Sequence, residues 1–191
     1  MSFFPNDIVL VTGTPGARTY LVVDALQRKG YSILWPGQEL LSEDAKRFFE
    51  YNKQNIEVHN IHRGILQMHD IQDLFTDNYP SVDDAELLLN PKGFLLSFQP
   101  PARVVISDNL LAPFLSLWTP FATSIVDITA SEAQDMRTLA SWVAANNDKL
   151  TKIRREFISK RNQALAVWPH KVISVLDEQL EELFGVNKCN P

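Results

Sequence analysis

Short apolar runs alternate with amphipathic segments along this 191-residue chain. Five runs have the length and composition of strands, and they cover about 7–12, 31–35, 103–107, 123–128 and 171–176. The first is apolar on both faces, which is typical of a buried parallel strand. Apolar positions three or four residues apart predict the main helices, at 20–29, from Ser42 through Phe49, and at 61–75, 131–142, 147–167 and 178–184. This alternation predicts an α/β fold with a parallel sheet covered on both faces.

Turn and capping residues define the organisation of the chain. Ser131 and Gln134 form a capping box at a helix start, and the segment from Pro80 to Asp84 resembles another helix start with Ser81 as its cap. Residues from about 38 to 100 carry few strand signals, so we interpret them as a helical insert over the sheet. The whole chain, 1–191, is then one domain.

Composition narrows the classes of partner. The formal net charge is -5 with 45% hydrophobic residues, which argues against a broad nucleic-acid surface. Cys189 is the one cysteine, so neither an intrachain disulfide nor a cysteine metal site is expected. No stretch approaches the roughly 20 apolar residues that span a bilayer. We expect a cytoplasmic protein that binds a small molecule, with no nucleic-acid or membrane partner, and the oligomeric state stays open.

Between the first strand and the first helix lies a glycine-containing loop. Such a loop directs backbone N–H groups and the helix dipole toward an anion. A Walker A loop, G-x-x-x-x-G-K-[ST], is one residue longer and contains a Lys, which this loop lacks. We predict a phosphate- or sulfate-binding loop; a plain turn that binds nothing is the alternative. The predicted binding residues are Gly13, Thr14, Pro15, Gly16, Ala17, Arg18, Thr19 and Tyr20.

Arg18 has two interpretations in that loop. Its planar guanidinium matches the oxygens of phosphate or sulfate, so it could replace the missing Lys as a bidentate partner. Equally, it could point outward as a solvated surface charge. The sequence leaves both open.

The loop resembles the phosphosulfate loop of P-loop sulfotransferases, which often reads G-T-P-R-S-G-T. Gly13, Thr14, Pro15 and Thr19 match by position, whereas Gly16-Ala17-Arg18 stands where Arg-Ser-Gly is usual. Two further segments are similar in order: Val104-Val105-Ile106-Ser107-Asp108 with the following Pro113 and Trp118, and residues 172–180, which end in an acidic-x-x-Leu pattern. The resemblance, to a divergent branch of the P-loop nucleoside triphosphate hydrolase fold, spans nearly the whole chain.

This resemblance implies a three-layer α/β/α sandwich with five parallel strands in the order 2-3-1-4-5. It also implies a phosphoadenosine-type nucleotide as cofactor and transfer of a sulfuryl group to a hydroxyl acceptor. We predict no metal cofactor. Ser141, on the helix after the fourth strand, is the candidate for holding the donor's second phosphate. Asp127 stands where an Arg is usual and would repel that phosphate. The alternatives are a non-catalytic P-loop-fold binding or interaction protein and, less favoured, a nucleotide-dependent kinase.

His59 and His62 are the candidate catalytic bases, because the insert is expected over the sheet edge where substrates bind. An exposed polar face is the plainer interpretation of these histidines, and a metal site with His69, Asp70 and Asp73 is less favoured.

Two other charged features receive structural interpretations. Asp108 ends the third strand, and we take it as an ordinary turn residue rather than a Mg²⁺-linked acid. The longest helix carries six cationic residues, which we interpret as a solvated face rather than a counter-charge for a second phosphate. These six are Lys149, Lys152, Arg154, Arg155, Lys160 and Arg161.

Overall fold

Parallel strands form the centre of the fold. The computed structural model describes residues 7–33, 42–81, 93, 95 and 103–184. Within them, one sheet has the strand order β2-β1-β3-β4. Its members are β1 (Asp7–Gly13), β2 (Arg103–Ser107), β3 (Ser124–Thr129) and β4 (Val172–Leu176). Because β1 pairs with both β2 and β3, Gly13 ends a central strand, where its partner is Ile128.

The described sheet has four strands rather than the predicted five. Residue Ser32 makes only an isolated parallel bridge to Val104, through N–H···O bonds of 2.8 and 3.1 Å. Leu34 and Trp35, which belong to the predicted second strand, lie outside the described residues. The bridge is on the free side of β2, so the order of the other strands agrees with the expected one.

The helices connect these strands and match most of the predicted segments. They are α1 (Thr19–Arg28), α2 (Glu43–Asn52), α3 (Ile56–Met68), α4 (Leu115–Trp118), α5 (Glu132–Trp142), α6 (Asn147–Val167) and α7 (Leu180–Phe184). Single 3₁₀ turns at Pro169–Lys171 and Asp177–Gln179 flank β4. No helix among the described residues is both long and apolar enough to cross a membrane.

Capping explains which helix bounds were predictable. Ser131 and Gln134 form the predicted capping box of α5, and Ser42 Oγ accepts the Ala45 N–H at the start of α2.

The predicted helix at 61–75 is wrong at both ends. The observed helix, α3, begins at Ile56 and ends at Met68, because the chain turns at Asp70, where φ is 57°. The helix start predicted at 80–84 falls mostly outside the described residues.

Alternate strand residues face two separate apolar clusters. Ile8 and Leu10 of β1 pack against α3, α4, α5 and α6, whereas Val9 and Val11 pack against α1 and α7. Helices therefore cover both faces of the sheet. Each fully buried aliphatic side chain stabilises the fold by about 1.5–3 kcal/mol, so this alternation specifies the register of the strands.

Candidate functional site

A cleft of about 780 Å³ opens beside the C-terminal end of β2. Aromatic side chains form much of its wall, namely Phe48, Phe49, Phe75 and Trp142. Its polar lining includes His59, Asp73, Asn109, Ser141 and Lys149. Apolar walls with a few polar groups are the usual composition of a small-molecule site.

Asp108 organises the polar end of this cleft. Its side chain is fully buried directly after β2, with Oδ1 2.9 Å from His59 Nδ1 and Oδ2 2.7 Å from His62 Nδ1. The Leu110 N–H donates to the same Oδ2 at 3.1 Å. Burial alone would raise the pKa of Asp108, but the hydrogen bonds that it accepts from the two histidines outweigh burial and hold that pKa well below its usual value. Asp108 therefore forms a turn with Leu110, as we predicted, but its buried carboxylate also binds both histidines, which we did not predict.

The start of α3 is fixed to the end of β2, which places both histidines. Asn55, the residue before α3, donates its N–H to the Ser107 carbonyl at 2.8 Å. Its Oδ1 accepts the Ser107 N–H at 2.7 Å. His59 and His62 follow one helical turn apart, so both rings reach the carboxylate that comes next after Ser107.

His62 is a structural histidine. Its Nε2 accepts the indole N–H of Trp118 at 2.9 Å, so Nδ1 carries the proton that is donated to Asp108. The ring is completely buried and stacks on Phe114 at 4.9 Å. Burial lowers the pKa of His62 below its ordinary value despite the neighbouring carboxylate. With both ring nitrogens bonded inside the core, His62 is not placed to act as the catalytic base that we predicted.

His59 is the histidine that reaches the cleft. Its side chain is 15% exposed and lies edge-on to Phe49, at a centroid distance of 5.3 Å. Burial alone would lower the pKa of His59, but the hydrogen bond and charge of Asp108 outweigh it and raise that pKa. Because Nδ1 is bonded to Asp108, Nε2 is the nitrogen left for a ligand. An Asp-oriented histidine of this kind can accept or donate a proton near neutral pH.

The predicted anion loop has its own N–H groups bonded within the chain. Thr14, Ala17 and Thr19 donate to backbone carbonyls at 2.9–3.0 Å. Gly16 donates instead to Asp135 Oδ1 at 2.8 Å. Arg18 N–H donates to Asp177 Oδ1 at 2.7 Å. Two buried carboxylates of this protein thus occupy the amides of Gly16 and Arg18.

The loop glycines are required by packing. A Cβ on Gly13 would lie 2.6 Å from both Ala17 Cβ and the Ile128 carbonyl oxygen. A Cβ on Gly16 would lie 2.7 Å from the backbone of Gln134 and Asp135. Close approach to β3 and to the first turn of α5 therefore accounts for these glycines without any ligand.

Neither interpretation of the Arg18 side chain describes the structure. Its Nε donates to Asp177 Oδ2 at 2.9 Å and its Nη1 to Glu181 Oε1 at 2.7 Å. Nη2 donates to the Asp177 carbonyl. Partial burial opposes the charged form, but these acidic partners outweigh it and raise the pKa of Arg18. The guanidinium thus joins the loop to the C-terminal segment. Tyr20, the last predicted loop residue, lies in the first turn of α1 and stacks on Tyr51.

Two cations of α6 form ion pairs with buried carboxylates, so the predicted solvated face is wrong for them. Arg161 bonds both oxygens of Asp127 at 2.6 Å, and both residues are at most 5% exposed. Arg154 bonds Asp135 at 2.9 Å through Nε. Asp127 is therefore a neutralised group rather than a free negative charge.

The loop and the cleft adjoin each other. A pocket of about 20 Å³ is lined by Gly13, Thr14, Pro15, Ala17 and Thr19 of the loop together with Asp108, Asn109 and Trp142. Asn109 and Trp142 also line the large cleft. Ser141 lies at the cleft as well, with its hydroxyl donating to the Thr138 carbonyl at 2.7 Å. Across the described ranges, no group of three or more His, Cys, Asp or Glu side chains is placed to hold a metal ion.

Three buried carboxylates bind the histidines and the loop amides, and none of these contacts was predicted from the sequence. Asp108 was interpreted as a turn residue rather than a Mg²⁺-linked acid, Asp177 belonged to the acidic-x-x-Leu pattern, and Asp135 was not singled out. The histidine spacing was the usable signal, since residues three apart on a helix can reach one carboxylate.

Comparisons with known proteins add only a distant likeness. No protein-family model matches the chain, and a search of curated proteins found no match. Among solved structures, the chain is similar to TT1252 from Thermus thermophilus, with a TM-score of 0.43 and 14% identity over 98% of this chain and 100% of that chain. This likeness is too weak to support a family or a function.

Proposed function

We propose that this protein binds a small molecule in the aromatic cleft, where His59 is the acid–base contact. In this proposal the protein has the three-layer P-loop-type fold, and its loop is a structural element rather than a phosphate cradle. The observation that carries the proposal is the aromatic cleft with His59 in its wall, held by Asp108 at 2.9 Å. The hydrogen bonds from Gly16 N–H to Asp135 and from Arg18 N–H to Asp177 are the evidence that the loop is closed.

An incoming phosphate or sulfate would have to displace these carboxylates. Asp135 is also bonded to Arg154, and Asp177 to the Arg18 side chain. Each hydrogen bond to a charged group contributes about 1.5–3 kcal/mol, so opening the loop costs several such bonds. The displaced carboxylates would remain close to the anion and repel it. A ligand of the cleft meets none of these costs.

The cleft supplies both components of small-molecule recognition. Phe48, Phe75 and Trp142 offer apolar surface, while His59 offers one ring nitrogen held in place by Asp108. A ligand hydroxyl can donate to Nε2 of neutral His59, and a ligand carbonyl can accept from the protonated ring. We therefore infer a partly apolar ligand with a hydrogen-bonding group at one end.

A second candidate is sulfuryl transfer of the kind that the loop resemblance implies. The position of His59 favours it, because the cleft adjoins the loop through Asn109 and Trp142. His59 would remove the proton of an acceptor hydroxyl while a phosphoadenosine-type donor occupies the loop. This candidate requires Asp135 and Asp177 to leave the loop amides.

Calorimetry separates the two candidates. Titration with adenosine 3′,5′-bisphosphate, the product of a sulfuryl donor, should give no saturable heat at millimolar ligand if the loop is closed. Saturable binding at one site that is weakened in Thr19→Ala, a residue of the loop pocket, but unchanged in Phe48→Ala, a residue of the cleft, would overturn the closed-loop proposal and favour transfer.

Dye binding tests the cleft itself. An anilinonaphthalene sulfonate dye should bind saturably, with energy transfer from Trp142, and Phe48→Ala should weaken its binding several-fold. Leu183→Ala is the matched control, because Leu183 is an exposed apolar residue that does not line the cleft. Equal effects of both variants would exclude the cleft as the binding site.

A further inference from the structure

We propose that Trp118 and His62 are positioning residues, which hold Asp108 and through it keep His59 with Nε2 toward the cleft. The inference rests on the proposed role of His59, and it concerns how the fold prepares that group. Four side chains form the chain of contacts, in the order Trp118, His62, Asp108 and His59.

The direction of the first contact is fixed by chemistry. An indole N–H is a donor only, so at 2.9 Å the Nε2 of His62 must be the acceptor. An imidazole that accepts at Nε2 carries its proton at Nδ1, 2.7 Å from Asp108 Oδ2. Trp118 thus selects the tautomer of His62 that donates to the carboxylate.

The second contact orients Asp108. His62 and the Leu110 N–H both occupy Oδ2, which leaves Oδ1 directed at His59 Nδ1. The ionised carboxylate accepts only, so His59 donates from Nδ1 and keeps its Nε2 lone pair. The arrangement therefore sets which nitrogen of His59 a ligand meets.

The charged surroundings of His59 can be stated from each element around it. Arg63 on α3 disfavours its protonated form, Asp108 after β2 favours it, and His62 is a buried neutral group. Asp73 and Lys149 line the same cleft and form a 3.8 Å ion pair with each other. Removing the N–H that His62 donates, or the Trp118 contact that fixes its tautomer, should therefore change the midpoint of the His59 titration mainly through Asp108.

Two variants should shift the midpoint of the His59 titration in opposite directions. His62→Leu removes a donor from Asp108, so the carboxylate binds His59 more strongly and the midpoint of the His59 titration should rise by about one pH unit. Trp118→Phe frees His62 Nε2 to take a proton, and the resulting charge on His62 competes for Asp108. The His59 midpoint should then fall by about half a unit or more. His62→Asn keeps an N–H donor near the same place and should restore the wild-type midpoint.

Nitrogen NMR of the histidine rings measures both tautomer and midpoint without any ligand. We expect Nδ1–H His59 in the wild type and the opposite shifts in the two variants, with Trp118→Phe having no effect in a His62→Leu background. Unchanged midpoints, shifts of the same sign, or failure of His62→Asn to restore the midpoint would overturn the inference. The dye assay reports separately on the cleft, so failure of the proposed function is distinguishable. If Trp118→Phe does not fold, the His62→Leu and His62→Asn pair decides the outcome.

Discussion

Removing the carboxylate of Asp135 should lower the free energy of unfolding, and this loss tests whether Asp135 holds the loop closed. It is completely buried, accepts the Gly16 N–H at 2.8 Å and pairs with Arg154 at 2.9 Å. In Asp135→Asn the amide oxygen can still accept from Gly16. Its NH₂ group would then face the Nε–H of Arg154, so a donor meets a donor and the charge pair is lost.

The magnitude follows from the burial of the two partners. Breaking a fully buried ion pair by removing one charge costs about 3–5 kcal/mol. Arg154 is 22% exposed, so water compensates part of the loss. We therefore expect Asp135→Asn to lower the free energy of unfolding by about 2–3 kcal/mol, which is the upper part of the range of about 1.5–3 kcal/mol for a hydrogen bond to a charged group. Asp135→Ala should cost a further 1 kcal/mol or so, because it also leaves the Gly16 N–H without an acceptor.

Urea unfolding at neutral pH, followed by tryptophan fluorescence, measures this change. Glu132→Gln is the matched control, because Glu132 lies 3.7 Å from the same Arg154 but is 70% exposed. That variant should change stability by less than about 0.5 kcal/mol. If Asp135→Asn is no more destabilising than Glu132→Gln, then Asp135 does not secure the loop and our account of its amides fails.

Three further predictions concern the neighbouring contacts. Arg161→Met leaves Asp127 buried and unpaired, so it should lower the free energy of unfolding by urea by about 3–5 kcal/mol. Arg155 is exposed on the same helix, so Arg155→Met should change this free energy little; equal effects of the two variants would refute the pairing. Gly16→Ala should lower the free energy of unfolding by roughly 1–3 kcal/mol, because the added Cβ meets the backbone of α5. A Cβ on Gly93 has open space, so Gly93→Ala should be neutral or stabilising. A Gly16→Ala variant as stable as the wild type would argue against the tight contact. The raised pKa of His59 contributes stability that is fully present below its unfolded pKa, about 6.5, and is lost as pH rises through the folded value. Wild type should therefore exceed His59→Gln by more at pH 6 than at pH 8.5, and a difference that grows with pH would contradict this assignment.

The sequence predicted the elements whose signals are local. The capping box at Ser131 and the apolar periodicity of α6 specified those helices, and the apolar run of β1 specified its strand. The end of α3 was missed because the apolar spacing of Ile71 and Phe75 continues past the turn at Asp70, where those residues pack into the core without helical structure.

The site was predictable only in part, because its contacts join residues far apart in sequence. His59 and His62 were identified by their spacing, but their different roles depend on Trp118 and Asp108, which are 56 and 46 positions from His62. Likewise, the loop has the residues of an anion site, and nothing local shows that Asp135 and Asp177, 119 and 159 positions away, reach its amides. Burial then decides which charges are neutralised, and tertiary packing determines burial.

The amide resonances of Gly16 and Arg18 provide the most direct test of the closed loop. A proton–nitrogen correlation spectrum of the wild-type protein would be followed during titration with adenosine 3′,5′-bisphosphate, with inorganic pyrophosphate as a second probe. We predict that both amides keep their positions at millimolar concentrations of either anion, because they remain bonded to Asp135 and Asp177. Saturable shifts of both amides with either probe would show an open anion cradle and contradict the account.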